Sequence, residues 1–182
     1  MKTRTVLLWI LILIVIDQSI KITINAYFRE CQFEIIPSFL EFNPTFNIQH
    51  SWVNTLINKN FGLNVGLLPH VILYLFIGVF FSAYFFYYRN NILKNSRLLD
   101  TSIIFLYAAI FCALIGNLIW IKGTLDYIYL KPLFVFDLKD TYVDLAIILF
   151  IIYVNRNRAQ LKSIKTRDVF LYVKKRLLKE KT

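Results

Sequence analysis

A chain of 182 residues that is 58% hydrophobic and 17% aromatic, with only 18% charged residues, lacks the composition of a water-soluble domain; such domains carry about a quarter charged residues. Its formal charge of +10 does not point to nucleic acid, because the basic residues collect at the ends of apolar runs, ten of them between Arg156 and Lys181. The length accommodates one compact unit, which we read as an all-α membrane protein, a four-transmembrane-helix bundle.

The first apolar run extends from Val6 to about Ile24, "VLLWILILIVIDQSIKITI". A helix needs about 20 mainly apolar residues to cross a bilayer. The basic front, Lys2 and Arg4, is similar to that of a secretory signal. No A-x-A-like site follows, however, and Asp17 and Lys21 interrupt the run, so it reads as a retained anchor. An outer loop over 26–69 follows. Within it, "FEIIPSFLEFNPTFNIQHSW" mixes β-branched and aromatic residues with Pro37 and Pro44, the pattern of short edge-type strands. Further spans are expected over about 70–88, 102–121 and 135–154. The last is purely apolar only from Leu145 to Val154, so it must take Asp137, Asp140 and Asp144, with Lys139 among them, into the outer part of the membrane. A charge at mid-bilayer costs about 2.5–3.5 kcal/mol on insertion scales. Residues 1–154 thus form the membrane unit and 155–182 a basic tail. In the tail, Val169, Val173 and Leu177 recur at helical spacing among lysines, which suits a helix on anionic lipid and equally a solvated tail.

Arg89, Lys94 and Arg97 lie between spans two and three with one acid, Asp100, whereas the 26–69 loop sets Arg29 and Lys59 against Glu30, Glu34 and Glu41. Basic loops face the cytoplasm. Both termini therefore belong inside and the 26–69 and 122–134 loops outside, although Lys122 and Lys131 fit this count less cleanly.

With that topology, polar residues from three helices meet at one depth. Asp126 follows the outward end of span three by five residues, and Asp140 lies near the start of span four. Asp137, Asp140 and Asp144, spaced i, i+3, i+7, share a face that should look into the bundle. Asp17 and Lys21 sit roughly 16 and 22 Å beyond Val6, and Asn117 lies at the outer end of span three. Two carboxylates in a poorly solvated site share a proton, so one can draw a proton from water while the other hydrogen-bonds a carbonyl. His50 and His70 lack metal-ligand spacing with each other or with Cys31 and Cys112, and no metal or cofactor is expected.

These blocks resemble lipoprotein signal peptidase, the type II signal peptidase family, in a divergent form. "DQSIK" (Asp17 to Lys21) is similar to the family's D-Q-x-x-K, and "NIQHSW" (Asn47 to Trp52) to N-x-G-A-A-F. "GNLI" (Gly116 to Ile119) resembles the start of G-N-L-I-D-R, and "GTLDYI" followed by "FDLKD" resembles G-x-V-V-D-F followed by F-N-x-A-D. The resemblance implies that Asp126 and Asp140 are the catalytic pair of an aspartic endopeptidase. It implies that Asn47, Asn117 and Asp137 serve the substrate, with Asp137 where the family has Asn, and that Asp17 and Lys21 support the site. It further implies a small extracytoplasmic β-cradle between helices 1 and 2. The expected substrates are diacylglyceryl-modified prolipoproteins, cut before the lipidated cysteine by a monomer in the bacterial inner membrane, with membrane lipids as its other partners and no nucleic acid.

Trp120 and Ile121 stand where the family motif continues with Asp and Arg, and the interval from Asn117 to Asp126 is short. Lys122 is a candidate substitute for the arginine. Two other readings stay open: an inert homologue that binds lipoproteins, and a small proton-coupled transporter using intramembrane Asp/Lys pairs.

Overall fold

The computed structural model describes residues 1–49, 51–63, 65–91, 96–120, 123–161 and 166–177. Among the described residues, three helices are long and apolar enough to cross a membrane: α1 (Thr3–Thr23, continued by a π-helical turn to Phe28), α3 (Leu67–Asn91) and α4 (Arg97–Ile119). In α1 the buried residues are Val6, Ile10, Asp17 and Lys21, a single stripe at helical spacing, while Leu7, Leu8, Leu11 and Val15 point outward. The Asp–Lys pair therefore extends the apolar stripe by which α1 packs onto its neighbours.

Helix α4 is the centre of the bundle: 56% of its apolar window is buried, against 22% for α1 and 11% for α3. Its buried residues combine larger side chains, among them Leu99, Ile103, Ile104 and Ile110, with the small Ser102, Ala108, Ala109, Cys112, Ala113 and Gly116, and small residues let helix backbones approach in an apolar medium. There α5 (Leu138–Arg156) packs closely enough for the Ser102 hydroxyl to donate to the Ala146 carbonyl at 2.8 Å.

Helix α5 starts three residues later than the expected span because Phe134–Phe136 is a strand and Asp137 is the N-cap. The Asp137 side chain accepts from the Asp140 N–H while Asp140 accepts from the Asp137 N–H, a reciprocal capping box. Asp137 thus lies outside the helix on which a common acidic face was expected. Asp144, on α5, is exposed and does not look into the bundle.

The second departure from expectation is the sheet. Four antiparallel strands run in the order β1 (Phe33–Ile36), β2 (Leu40–Asn47), β3 (Thr124–Leu130) and β4 (Phe134–Phe136). Half of it therefore comes from the segment after α4, so the sheet is not confined to the loop between the first two spans. The β2–β3 register slips between Phe42 and Thr45, around Pro44, which has no N–H for the ladder. Beyond the slip, Thr45 faces Asp126 and Asn47 faces Thr124. The segment between β2 and α3 also holds a helix the sequence reading did not foresee, α2 (Trp52–Phe61), capped by Ser51 at its start and by left-handed Gly62 at its end.

Two short helices, α6 (Arg158–Leu161) and α7 (Thr166–Leu177), follow α5. Val169 of α7 is buried, Tyr172 meets Tyr87 edge to face and accepts from the Asn90 amide, so α7 docks on α3. Phe170 stays exposed, and the side chain of Leu177 lies outside the described residues.

One glycine fixes how β3 meets β2. Gly123 has φ +93°, and a Cβ there would lie 2.5 Å from the Asn47 carbonyl oxygen. Gly123→Ala combines left-handed strain with a backbone clash, together about 2 kcal/mol or more. Thermal unfolding in detergent should show a melting temperature lowered by roughly 4–8 °C. Gly66→Ala, where a Cβ meets nothing within 4 Å, should leave it unchanged.

Candidate active site

The site forms where the N-terminus of α5, the strand β3 and the C-terminal half of α1 converge. Strand β3 carries Asp126 at its third position, 3% exposed. From the facing strand the Asn47 amide donates to Asp126 Oδ2 at 3.0 Å, and its own carbonyl oxygen accepts from the Gln49 N–H at 3.0 Å. Both ends of the Asn47 side chain are thereby engaged, so it orients Asp126.

From α5, Lys139 reaches three carboxylates at once: Asp126 Oδ1 at 3.0 Å, Asp137 Oδ1 at 3.0 Å and Asp140 Oδ2 at 3.3 Å. Oxygens of Asp126, Asp137 and Asp140 all lie within 4.8 Å of one another, a spacing that can surround a cation. Here the Lys139 ammonium is a cation supplied by the chain itself.

Asp137 continues the chain of charges. It is 1% exposed, and its second oxygen lies 2.7 Å from Lys21 Nζ, off the hydrogen-bonding direction, so the contact is an ion pair. Lys21 in turn donates to Asp17 at 2.9 Å, one helical turn back. Both side chains of this last pair are fully buried. Thus Asp17, Lys21, Asp137, Lys139, Asp126 and Asp140 form one continuous network linking α1, β3 and α5.

The two acids expected to act together differ in access to water. Asp126 is buried, whereas the Asp140 side chain is 45% exposed. Burial pushes the Asp126 carboxyl above its ordinary range; the Lys139 ammonium opposes this, Asp137 reinforces it, and the Asn47 amide pulls it back down. A cavity of about 370 Å³ opens over Asp126, walled by Asn47, Thr55, Tyr129 and Phe134. Such a volume is within the range of small-molecule and peptide-binding clefts.

Six of the seven residues singled out from sequence belong to this network or bond directly to it. Asn117 is the seventh. Half-buried at the end of α4, its amide donates to the Ala113 carbonyl one turn earlier. Asp137 is buried between two lysines and does not line the cavity. Ile121 and Lys122 lie outside the described residues, as does His50. His70 is buried and paired with Ser51 at 2.9 Å. Lys139 carried no role in the sequence reading, and its signal was the departure from the F-N-x-A-D pattern, which has Ala at that position.

Comparison with known proteins identifies a family and a fold. The sequence profile described as signal peptidase (SPase) II matches residues 9–156. No curated protein matches the chain. Two solved structures, described as bacterial membrane enzyme structures obtained by the in meso method at 1.9 and 2.3 Å, superpose with a TM-score of 0.61. The first shares 19% identity, covering 84% of this chain and 93% of its own; the second shares 18%, covering 90% and 95%.

Deleting one member of the network exposes its cost. Lys21→Met strands two buried carboxylates, a change worth about 3–5 kcal/mol. Thermal unfolding in detergent should move down by on the order of 10 °C. The double variant Asp17→Asn/Lys21→Met should lose clearly less, because Asp137 keeps Lys139 as partner.

Proposed function

The chain belongs to the signal peptidase II family, and on that premise we propose that it is an intramembrane aspartyl endopeptidase that removes signal peptides from diacylglyceryl-modified prolipoproteins, cleaving before the lipidated cysteine. One observation carries the reading: Asp126 and Asp140, delivered by different elements, hold carboxylate oxygens within 4.8 Å of each other. A water accepting or donating two hydrogen bonds of about 2.8 Å bridges such a gap.

In this mechanism the pair carries one proton. The ionised carboxylate takes a proton from the bridging water, which attacks the scissile carbonyl; the protonated partner hydrogen-bonds the carbonyl oxygen as charge develops there. Protonation of the departing amine then completes cleavage. The substrate's extended segment lies in the cavity over Asp126, beside Asn47 and along β2, while its lipid tails remain in the bilayer. Asn117, at the outer end of α4, is assigned to the substrate backbone, and Asp137 acts on the pair through Lys139.

Helix α5 serves as the fourth span. Its apolar stretch from Leu145 to Val154 is too short alone, so its charged first turns lie at the outer face, where the sheet and the site also stand. Both termini are then cytoplasmic, the active site is near the periplasmic face of a bacterial inner membrane, and the working unit is a monomer in contact with lipid. The basic tail supports this orientation.

Purified protein in detergent should cleave a synthetic diacylated prolipopeptide, with mass spectrometry placing the cut before the modified cysteine. Asp126→Asn and Asp140→Asn should each lower kcat by about a thousandfold or more while leaving peptide binding intact. Full cleavage by either variant overturns the assignment, and tight binding without turnover by the unaltered protein favours the inert reading. Activity should be bell-shaped in pH, falling on the acid side as the pair takes a second proton and on the alkaline side as it loses its last.

A further inference from the structure

We propose that Lys139 is a positioning residue of the reacting centre: its ammonium, clamped between Asp126 and Asp140, fixes which carboxylate holds the shared proton and keeps the other ionised. This rests on the reading of those two acids as the acid–base pair.

Lys139 stands where local physics disfavours it. A lysine in the first turn of a helix faces the positive end of the helix dipole. Lys139 is also only 8% exposed, and lysine is rarely buried unless paired. Its place in the first turn is a local cost, and its burial is met only by the carboxylates around it. Among the described residues, Lys139 is the sole cation within 4.0 Å of either Asp126 or Asp140.

Counting charges sharpens the role. The network holds four carboxylates and two ammonium groups. Asp17 is matched by Lys21 and Asp137 by Lys139, so Asp126 and Asp140 are the unmatched pair, and one proton shared between them leaves a single net negative charge on the network. Asp137 and Lys139 are therefore a compensating couple: the carboxylate adds a negative charge beside the pair and the ammonium cancels it. The groups facing Asp126 are Lys139, Asp137, Asp140 and Asn47, with Tyr74 of α3 also within electrostatic range.

The contacts give the ammonium unequal holds, 3.0 Å on buried Asp126 and 3.3 Å on open Asp140. The closer ammonium offsets the burial that favours protonation of Asp126 and keeps it as the ionised base, which leaves the proton on Asp140. Removing Lys139 alone strengthens proton binding by the pair; removing the Asp137 charge alone weakens it. Removing both restores the balance.

The test is a double-variant cycle read as a pH profile of kcat/KM on the diacylated prolipopeptide. Lys139→Met should move the acid limb upward by one pH unit or more and lower kcat at neutral pH by about a hundredfold. Asp137→Asn should move that limb downward. Asp137→Asn/Lys139→Met should bring it back to within about half a unit of the unaltered protein, and Lys139→Arg should hold it in place. Acid limbs that stay put in both single variants overturn the proposal, as does a double variant whose limb shifts as far as that of Lys139→Met. An assay-independent reading uses carboxyl-labelled aspartate and NMR titration of the same proteins in detergent. Should the unaltered protein cleave nothing, the endopeptidase reading fails, yet the titration still judges Lys139. An Asp126 resonance that titrates identically with and without the ammonium overturns the role.

Discussion

Everything in this structure answers to one constraint: carboxylates cannot stay charged in a poorly solvated place without counter-charges at contact distance. Four aspartates occupy one end of the bundle, and two lysines hold them at 2.7 to 3.3 Å. Idealised desolvation of an ion is of order 20 kcal/mol, and several kcal/mol remain after relaxation. The network therefore dictates where α1, β3 and α5 meet. The helices supply its apolar floor and the sheet its lid.

The same constraint explains the strands. Asp126 could have sat on a loose loop, where water would solvate it and separate it from Asp140. Instead β3 pairs with β2 on one side and β4 on the other, and the Asn47–Thr124 register places an amide on the carboxylate. Gly116 and Gly123 allow the close approach that this register needs, since a Cβ at either would strike Thr124 or Asn47. A hydrogen-bonded strand is a stiffer support than a loop, and holding reactive groups within fractions of an ångström is where rate is won.

Much of this was legible in the amino-acid sequence. Hydropathy located α1, α3 and α4, because an apolar run of membrane length has few other uses. The spacing of Asp17 and Lys21 announced a shared helix face, and the family blocks pointed to Asp126 and Asp140. Other features were hidden. "TLDYIYL" pairs in space with a segment some eighty residues earlier, "FVF" joins the sheet only through it, and no local periodicity reports a long-range partner. The start of α5 was misplaced because Asp137 has one role as a charge and another as an N-cap, which only the capping geometry separates. Asp144 was grouped with the other acids on spacing alone, yet it lies on the exposed side of α5.

Lys139 was the subtlest case. In a motif comparison it is a mismatch, and only distances turn the mismatch into a compensating charge for Asp137. Paired departures from a family pattern are worth reading together, because each alone suggests damage.

The most direct measurement is the protonation of the pair at neutral pH, read from the infrared carboxylic acid band of the protein in lipid. A single shared proton requires one such band, abolished in both Asp126→Asn and Asp140→Asn proteins. A spectrum without that band, or one in which it persists after either substitution, would mean that the two aspartates do not act as a unit.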